Sequence, residues 1–127
     1  MAPQSHNSLS IVIPVYNGAL SIRALVEELL QTLPTLASQY EIIIVEDDGR
    51  DNSWEVIQGV VQDYGTFVRA FKLMRNFGQH GALLCGVRAA QYDIIVTMDD
   101  DLQHPPTEIP KLLARLDEGY DVIYGKP

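Results

Sequence analysis

The sequence predicts an α/β domain, a mostly parallel sheet with helices on both faces. Two observations carry that reading. Short apolar runs rich in β-branched residues alternate with stretches whose apolar residues fall on one helical stripe. The ends of successive apolar runs are also unusually polar, and ligands bind at the carboxyl ends of the strands of an open parallel sheet. With 127 residues the chain is long enough for one such domain with a real core.

Ser10-Ile11-Val12-Ile13-Pro14-Val15 reads as a buried first strand, and residues 1–7 before it as a loose tail. Ile22, Leu25, Val26, Leu29, Leu30 and Leu33 then share a helical stripe that Pro34 stops. Residues 41–45 form the second strand. The next helix is expected from Asp51 or Asn52, with Glu55 completing a capping box from Asn52. Its stripe is Trp54, Ile57, Val60, Val61 and Tyr64, and Gly65 ends it. Residues 67–74 form a third strand interrupted by Arg69 and Lys72. The helix over 79–90 is crowded with Gly81, Ala82, Gly86, Ala89 and Ala90, which lets it lie close to a sheet. Residues 93–98 form the fourth strand, Thr107 caps a helix running to about Glu118, and residues 120–124 form a fifth strand.

Charge and cysteine content narrow the function. The net charge is −8, and the nine Lys and Arg residues are scattered, so a nucleic-acid partner is excluded. The single cysteine, Cys85, sits in Ala82-Leu83-Leu84-Cys85 and reads as a buried, inert thiol. Residues 1–10 lack the regions of a signal peptide, and no apolar run approaches a membrane span. The chain is therefore expected to be soluble, cytoplasmic and not membrane-spanning.

Four strand ends deliver polar groups to one edge. They are Tyr16-Asn17-Gly18, Glu46-Asp47-Asp48-Gly49-Arg50-Asp51, Arg75-Asn76 and Asp99-Asp100-Asp101. Helix capping accounts for Asp51 and Thr107, but not for Asp99 to Asp101, which precede Pro105-Pro106. In an extended segment Asp99, Asp101 and Gln103 share a face and Asp100 takes the other. Those oxygens are hard ligands suited to Mg²⁺ or Mn²⁺, with His104 either a further ligand or a packing residue. The chain has no GxGxxG and no GxxxxGK[ST] sequence, so a bound diphosphate has to be held through the metal.

These motifs resemble those of the family 2 glycosyltransferases, with the nucleotide-binding GT-A fold. The residues that carry the resemblance are Ser10 to Asn17, Val45-Glu46-Asp47 with Asp51-Asn52-Ser53-Trp54, and Asp99-Asp100-Asp101. Arg75-Asn76-Phe77-Gly78-Gln79 and Met98 to Pro106 are similar, more narrowly, to the polyprenyl-phosphate sugar transferases. The resemblance implies that the chain is the Rossmann-like donor-binding half of a metal-dependent, inverting enzyme of cell-envelope glycan synthesis. Its donor would be a UDP- or GDP-sugar and the full-length protein's acceptor a lipid phosphate. By the same resemblance Pro14, Tyr16 and Asn17 belong to the nucleotide-sugar site, and Asp47 hydrogen-bonds the base. Arg75 either reaches the donor or is structural, Asp99 lies near the ribose and diphosphate, Asp100 belongs to the nucleotide-sugar site, and Asp99, Asp101 and Gln103 serve the metal. No catalytic base is assigned. With no residues for an acceptor site after Tyr124, the chain is expected to bind donor without efficient transfer.

Two positions depart from the family pattern. Gly18 stands where the subgroup often has Glu, and Glu46-Asp47-Asp48-Gly49 replaces the usual Asp-Asp-Gly-Ser. The alternative is a Mg²⁺-binding signalling receiver domain, which shares the length, the βα alternation and an ending like Gly125-Lys126-Pro127. Receivers, however, place their acid pair after strand one, where this chain has Pro-Val-Tyr-Asn.

Overall fold

The computed structural model describes residues 6–100 and 109–117. Its strands are β1 (His6–Val15), β2 (Ala37–Glu46), β3 (Val68–Lys72) and β4 (Ile94–Thr97). They form one sheet in the order β3-β2-β1-β4, with every pairing parallel. The helices are α1 (Ile22–Thr32), α2 (Ser53–Tyr64), α3 (Gly78–Ala89) and α4 (Ile109–Asp117). Among the described residues no helix is long and apolar enough to cross a membrane.

Strand alternation sorts the core into two faces. Leu9, Ile11, Ile13 and Val15 of β1, with Ile42 and Ile44 of β2, meet the apolar stripes of α1 and α2 and Ile109 and Leu113 of α4. Val12, Ile43 and Val45 point the other way and pack on Ala82 of α3. Both faces of the central strands are thus covered, which is why their sequences are continuously apolar. The crowding of small residues in α3 has its expected use at Gly86, where a Cβ would overlap Cγ1 of Val12.

Two of the buried polar residues satisfy each other. Ser10 and Glu41 are buried, and the Ser10 hydroxyl donates to Glu41 Oε2 at 2.6 Å. The Gln91 amide donates to the same oxygen at 2.7 Å, and Arg69 Nη2 donates to Oε1 at 2.8 Å. Arg69 also donates to the Ala89 carbonyl at 2.7 Å, and the Tyr92 amide donates to Ser10 Oγ at 3.3 Å. One buried carboxylate therefore ties β1, β2 and β3 to the turn between α3 and β4. Arg69, which interrupts the third strand in the sequence, is one of its partners.

The boundaries differ from expectation where backbone pairing outruns the apolar signal. β1 starts at His6 and β2 at Ala37, because His6 pairs with Ala37 and Ser8 with Gln39. β3 is shorter than residues 67–74 at both ends. The stripe of α1 runs on into a 3₁₀ turn, Leu33–Thr35, with Pro34 in its first positions. The capping box does not form: Asn52 makes no side-chain cap bond, and Asp51 Oδ1 accepts the Ser53 amide instead, at 3.0 Å. Thr107 and the strand expected over 120–124 lie outside the described residues.

Gly86→Ala sets two effects against each other. Helix propensity favours alanine by about 1 kcal/mol, while overpacking against β1 costs about 1–3 kcal/mol. Urea unfolding should show a net loss of stability, and a gain would mean that α3 does not touch Val12.

Glu41 should give the fold an acid-sensitive limb. Burial pushes its carboxyl up, but the Gln91 amide, the Ser10 hydroxyl and Arg69 together outweigh burial and hold it below its ordinary value. A depressed carboxylate contributes stability that is complete above the unfolded pKa and is lost as pH falls through the folded one. Glu41→Gln should lower stability at neutral pH by about 1–3 kcal/mol. It should also flatten the profile below the ordinary glutamate range, as denaturant midpoints across acid pH would show.

Candidate functional site

β1 and β4 are neighbours in the sheet although β2 and β3 separate them in the chain. Strand order reverses between them, which is where open α/β sheets form ligand crevices. Pro14 marks the opening. The Met98 amide donates to the Val12 carbonyl at 3.0 Å, and the Asp47 amide donates to the Val15 carbonyl at 2.8 Å. Alternate residues of β1 therefore face β4 and β2, and Pro14 faces the β4 side. Ladder pairing with β4 has already ended at Val12–Thr97, so the missing N–H of Pro14 breaks no pairing.

Beyond that point lies a cleft of about 360 Å³. β1 contributes Pro14, Val15 and the half-exposed Tyr16, and β2 contributes Asp47. Asn76, Gly78, Gln79 and Ala82 line the α3 side, and Asp99 and Asp100 follow β4. Pleat alternation explains the grouping: Asp47 continues the face of Ile43 and Val45, Pro14 continues that of Val12, and both faces meet α3.

Asp47 is 3% exposed, and its Oδ1 accepts the Phe77 amide at 2.8 Å. Gln79 Nε2 donates to Asp99 Oδ1 at 2.9 Å. The segment between β3 and α3 is thus fastened to both ends of the cleft, with Gly78 taking the positive φ (82°) that its turn requires. Asp100 lines the cleft from the other side, its carboxylate lying against Gly18 in the turn after β1.

The structure gives other expected site residues supporting positions. Asn17, with φ 57°, lies outside the cleft lining, and its Oδ1 accepts the amides of Arg50 at 2.8 Å and Asp51 at 3.3 Å. Arg75 is also outside the lining, its guanidinium 4.7 Å from the Phe77 ring centroid. Glu46 is buried at 1% exposure and serves the loop after β2. Its carboxylate accepts the Asp48 and Gly49 amides at 3.1 and 2.7 Å, and Lys72 donates to it at 3.2 Å. Of the three consecutive acids at the end of β2, only Asp47 lines the cleft. Asp51 closes the same frame. Burial acts to raise its carboxyl, but the Ser53 hydroxyl and the Ala19 and Ser53 amides outweigh that and lower it. Sequence reasoning assigned no role to Gln79, although its one-turn spacing from Ala82 places both on the sheet-facing side of α3.

Three carboxylates, from Asp47, Asp99 and Asp100, line the cleft, and no Lys or Arg is among its described lining residues. A phosphate-bearing ligand would be repelled here unless a cation accompanied it. The oxygen donors fit a hard divalent ion. Among the described residues no group of three His, Cys, Asp or Glu could hold a metal, and Asp101, Gln103 and His104 lie outside them.

The family described as Glycosyl transferase family 2 matches residues 10–127. The undecaprenyl-phosphate 4-deoxy-4-formamido-L-arabinose transferase of Proteus mirabilis is 42% identical over 117 residues. That match covers 92% of this chain and 36% of the relative, so the chain spans about a third of the relative's length. The mannosyltransferase PcManGT from Pyrobaculum calidifontis, solved in complex with GDP-Man and Mn²⁺, superposes with a TM-score of 0.66 at 18% identity. It covers 73% of this chain and 27% of that one. TarS 1–349 of S. aureus in complex with UDP-GlcNAc superposes with a TM-score of 0.68 at 20% identity, covering 87% and 31%. These likenesses establish the GT-A type of α/β fold. The receiver alternative is not supported: the family match covers residues 10–127, and the acids that line the cleft follow β2 and β4.

The Asp47–Phe77 bond can be tested without a ligand. Asp47→Ala should speed hydrogen exchange at the Phe77 amide by roughly tenfold, the value of one lost hydrogen bond. Amides at the centre of β1 should keep their protection. An unchanged Phe77 amide would show that Asp47 does not hold this segment.

Proposed function

This chain belongs to glycosyl transferase family 2, and from that premise we propose that it binds the donor of a polyprenyl-phosphate sugar transferase. The observation that carries the reading is the acidic cleft at the β1/β4 divergence, with Pro14, Tyr16, Asp47 and Asp99 around one space. Pro14 and Tyr16 pack on the nucleoside of a UDP- or GDP-sugar. Asp47 reads the base with the oxygen not given to the Phe77 amide. Asp99 and Asp100 lie at the ribose and diphosphate, while Asn17 and Arg75 support the site through the loop contacts described above.

Asp99, Asp101 and Gln103 hold Mg²⁺ or Mn²⁺ in this reading. The bound ion would stabilise, as a Lewis acid, the charge that develops on the leaving diphosphate. Attack on the anomeric carbon from the face opposite the diphosphate inverts that centre. A lipid phosphate acceptor is already ionised and needs little help from a base. Its support is the Proteus relative, an undecaprenyl-phosphate 4-deoxy-4-formamido-L-arabinose transferase. PcManGT, held with GDP-Man and Mn²⁺, supports a metal-bound nucleotide sugar. Acceptor binding and efficient transfer are assigned to the parts of the longer relatives that residues 1–127 do not span, and the reaction to the cytoplasmic face of the membrane.

Titration of UDP- and GDP-sugars with Mn²⁺ and with EDTA tests this. One of the two should bind with Mn²⁺ more tightly than ATP or NAD, and EDTA should abolish the binding. Asp101→Ala should weaken binding at saturating metal by about 1–3 kcal/mol, the scale of a charge-assisted contact. Binding indifferent to EDTA and to Asp101→Ala would refute the metal site.

A further inference from the structure

α3 begins without a side-chain cap of its own. Its N-cap residue is Phe77, and no acidic residue stands in its first turn. Two acids from other strands attend that end instead. Asp47, after β2, accepts the Phe77 amide at 2.8 Å, and Asp99, after β4, accepts Nε2 of Gln79 at 2.9 Å. Carboxylates are favoured beside a helix N-terminus, where backbone N–H groups leave partial positive charge. The two bonds differ in their surroundings. Asp47 is buried, whereas Gln79 is exposed and its bond to Asp99 faces water. Water replaces an exposed hydrogen bond at small cost, so this one adds little to the fold. It is well placed to act in the cleft, which Gln79 and Asp99 both line.

We propose, resting on the donor-binding reading above, that Gln79 is a positioning residue that orients the Asp99 carboxylate for the cation and diphosphate. An amide does this without adding charge. It holds Oδ1 and leaves the negative charge of Asp99 to face the metal. A donor filling the cleft displaces water from around the bond, which is then stronger than in the open site. Gln79 thus acts on the donor through Asp99.

The test is a double-mutant cycle of Gln79→Met and Asp99→Ala. Methionine keeps the length and helix propensity of glutamine but donates no hydrogen bond. The readouts are nucleotide-sugar affinity at saturating Mn²⁺, the Mn²⁺ concentration that half-saturates donor binding, and hydrogen exchange at the Phe77 amide. Gln79→Met should weaken binding of the donor that wild type accepts by roughly fivefold and raise the half-saturating Mn²⁺. The Phe77 amide should keep its protection. In the Asp99→Ala background the same substitution should cost less than about twofold. Equal losses in both backgrounds would overturn the role, and so would faster Phe77 exchange, which makes Gln79 a fastening for the segment alone. If Asp99→Ala leaves no measurable binding, the Mn²⁺ dependence decides: a raised half-saturation in Gln79→Met supports the role, and an unchanged one overturns it. Wild type that binds neither UDP- nor GDP-sugar is a separate result, read before any variant, and removes the donor-binding reading together with this role.

Discussion

The parting of β1 from β4 at Pro14 is the constraint on which the site depends. A proline inside a central strand normally costs a ladder hydrogen bond. Here the ladder to β4 ends at Val12–Thr97, two residues earlier, and the strand continues paired only with β2 as far as Val15–Glu46. The same feature that spares the sheet an unmet acceptor opens a crevice beside its most buried strand. Burial on both faces makes β1 rigid, so Pro14 and Tyr16 leave the sheet from a fixed base.

The acids at the end of β2 show how the pleat divides labour between neighbours. Glu46 and Asp47 are adjacent and both nearly fully buried, yet their side chains leave opposite faces. Glu46 meets two amides of its own loop and Lys72 directly across the β2–β3 pair. That cross-strand ion pair is partly exposed, so its value lies in shaping the loop more than in Coulomb energy. Asp47 is freed by this arrangement to face the cleft while its other oxygen fastens the segment before α3. A loop built on Asn17, Asp51 and Ser53 closes the frame from the side of α2.

A second charge lies at the other end of the sheet, where Glu41 gathers Ser10, Arg69 and the Gln91 amide. A buried carboxylate without partners would cost more than the fold can spare, and with them it specifies register. It fixes where α3 ends and β4 begins, and so where Asp99 and Asp100 emerge.

The sequence by itself determined the alternation of strands and helices, the faces of the core and the edge on which polar residues gather. These follow from period and composition, which are local: Ile42 to Val45 read as a buried strand without reference to anything else. It also marked α3 as a close-packing helix, through Gly86. Only the tertiary structure decided which polar residues face the cleft. Asn17, Arg75 and Glu46 carry the same chemistry in the sequence as the residues that line it, and their loops turn them to other partners. Gln79 joined the site because a helix crossing from β3 to β4 brings it against Asp99. The meeting of Gly18 with Asp100, 82 positions apart in the chain, was likewise beyond any local signal. Periodicity records whether a residue is buried, and only the path of the chain through space records what it is buried against.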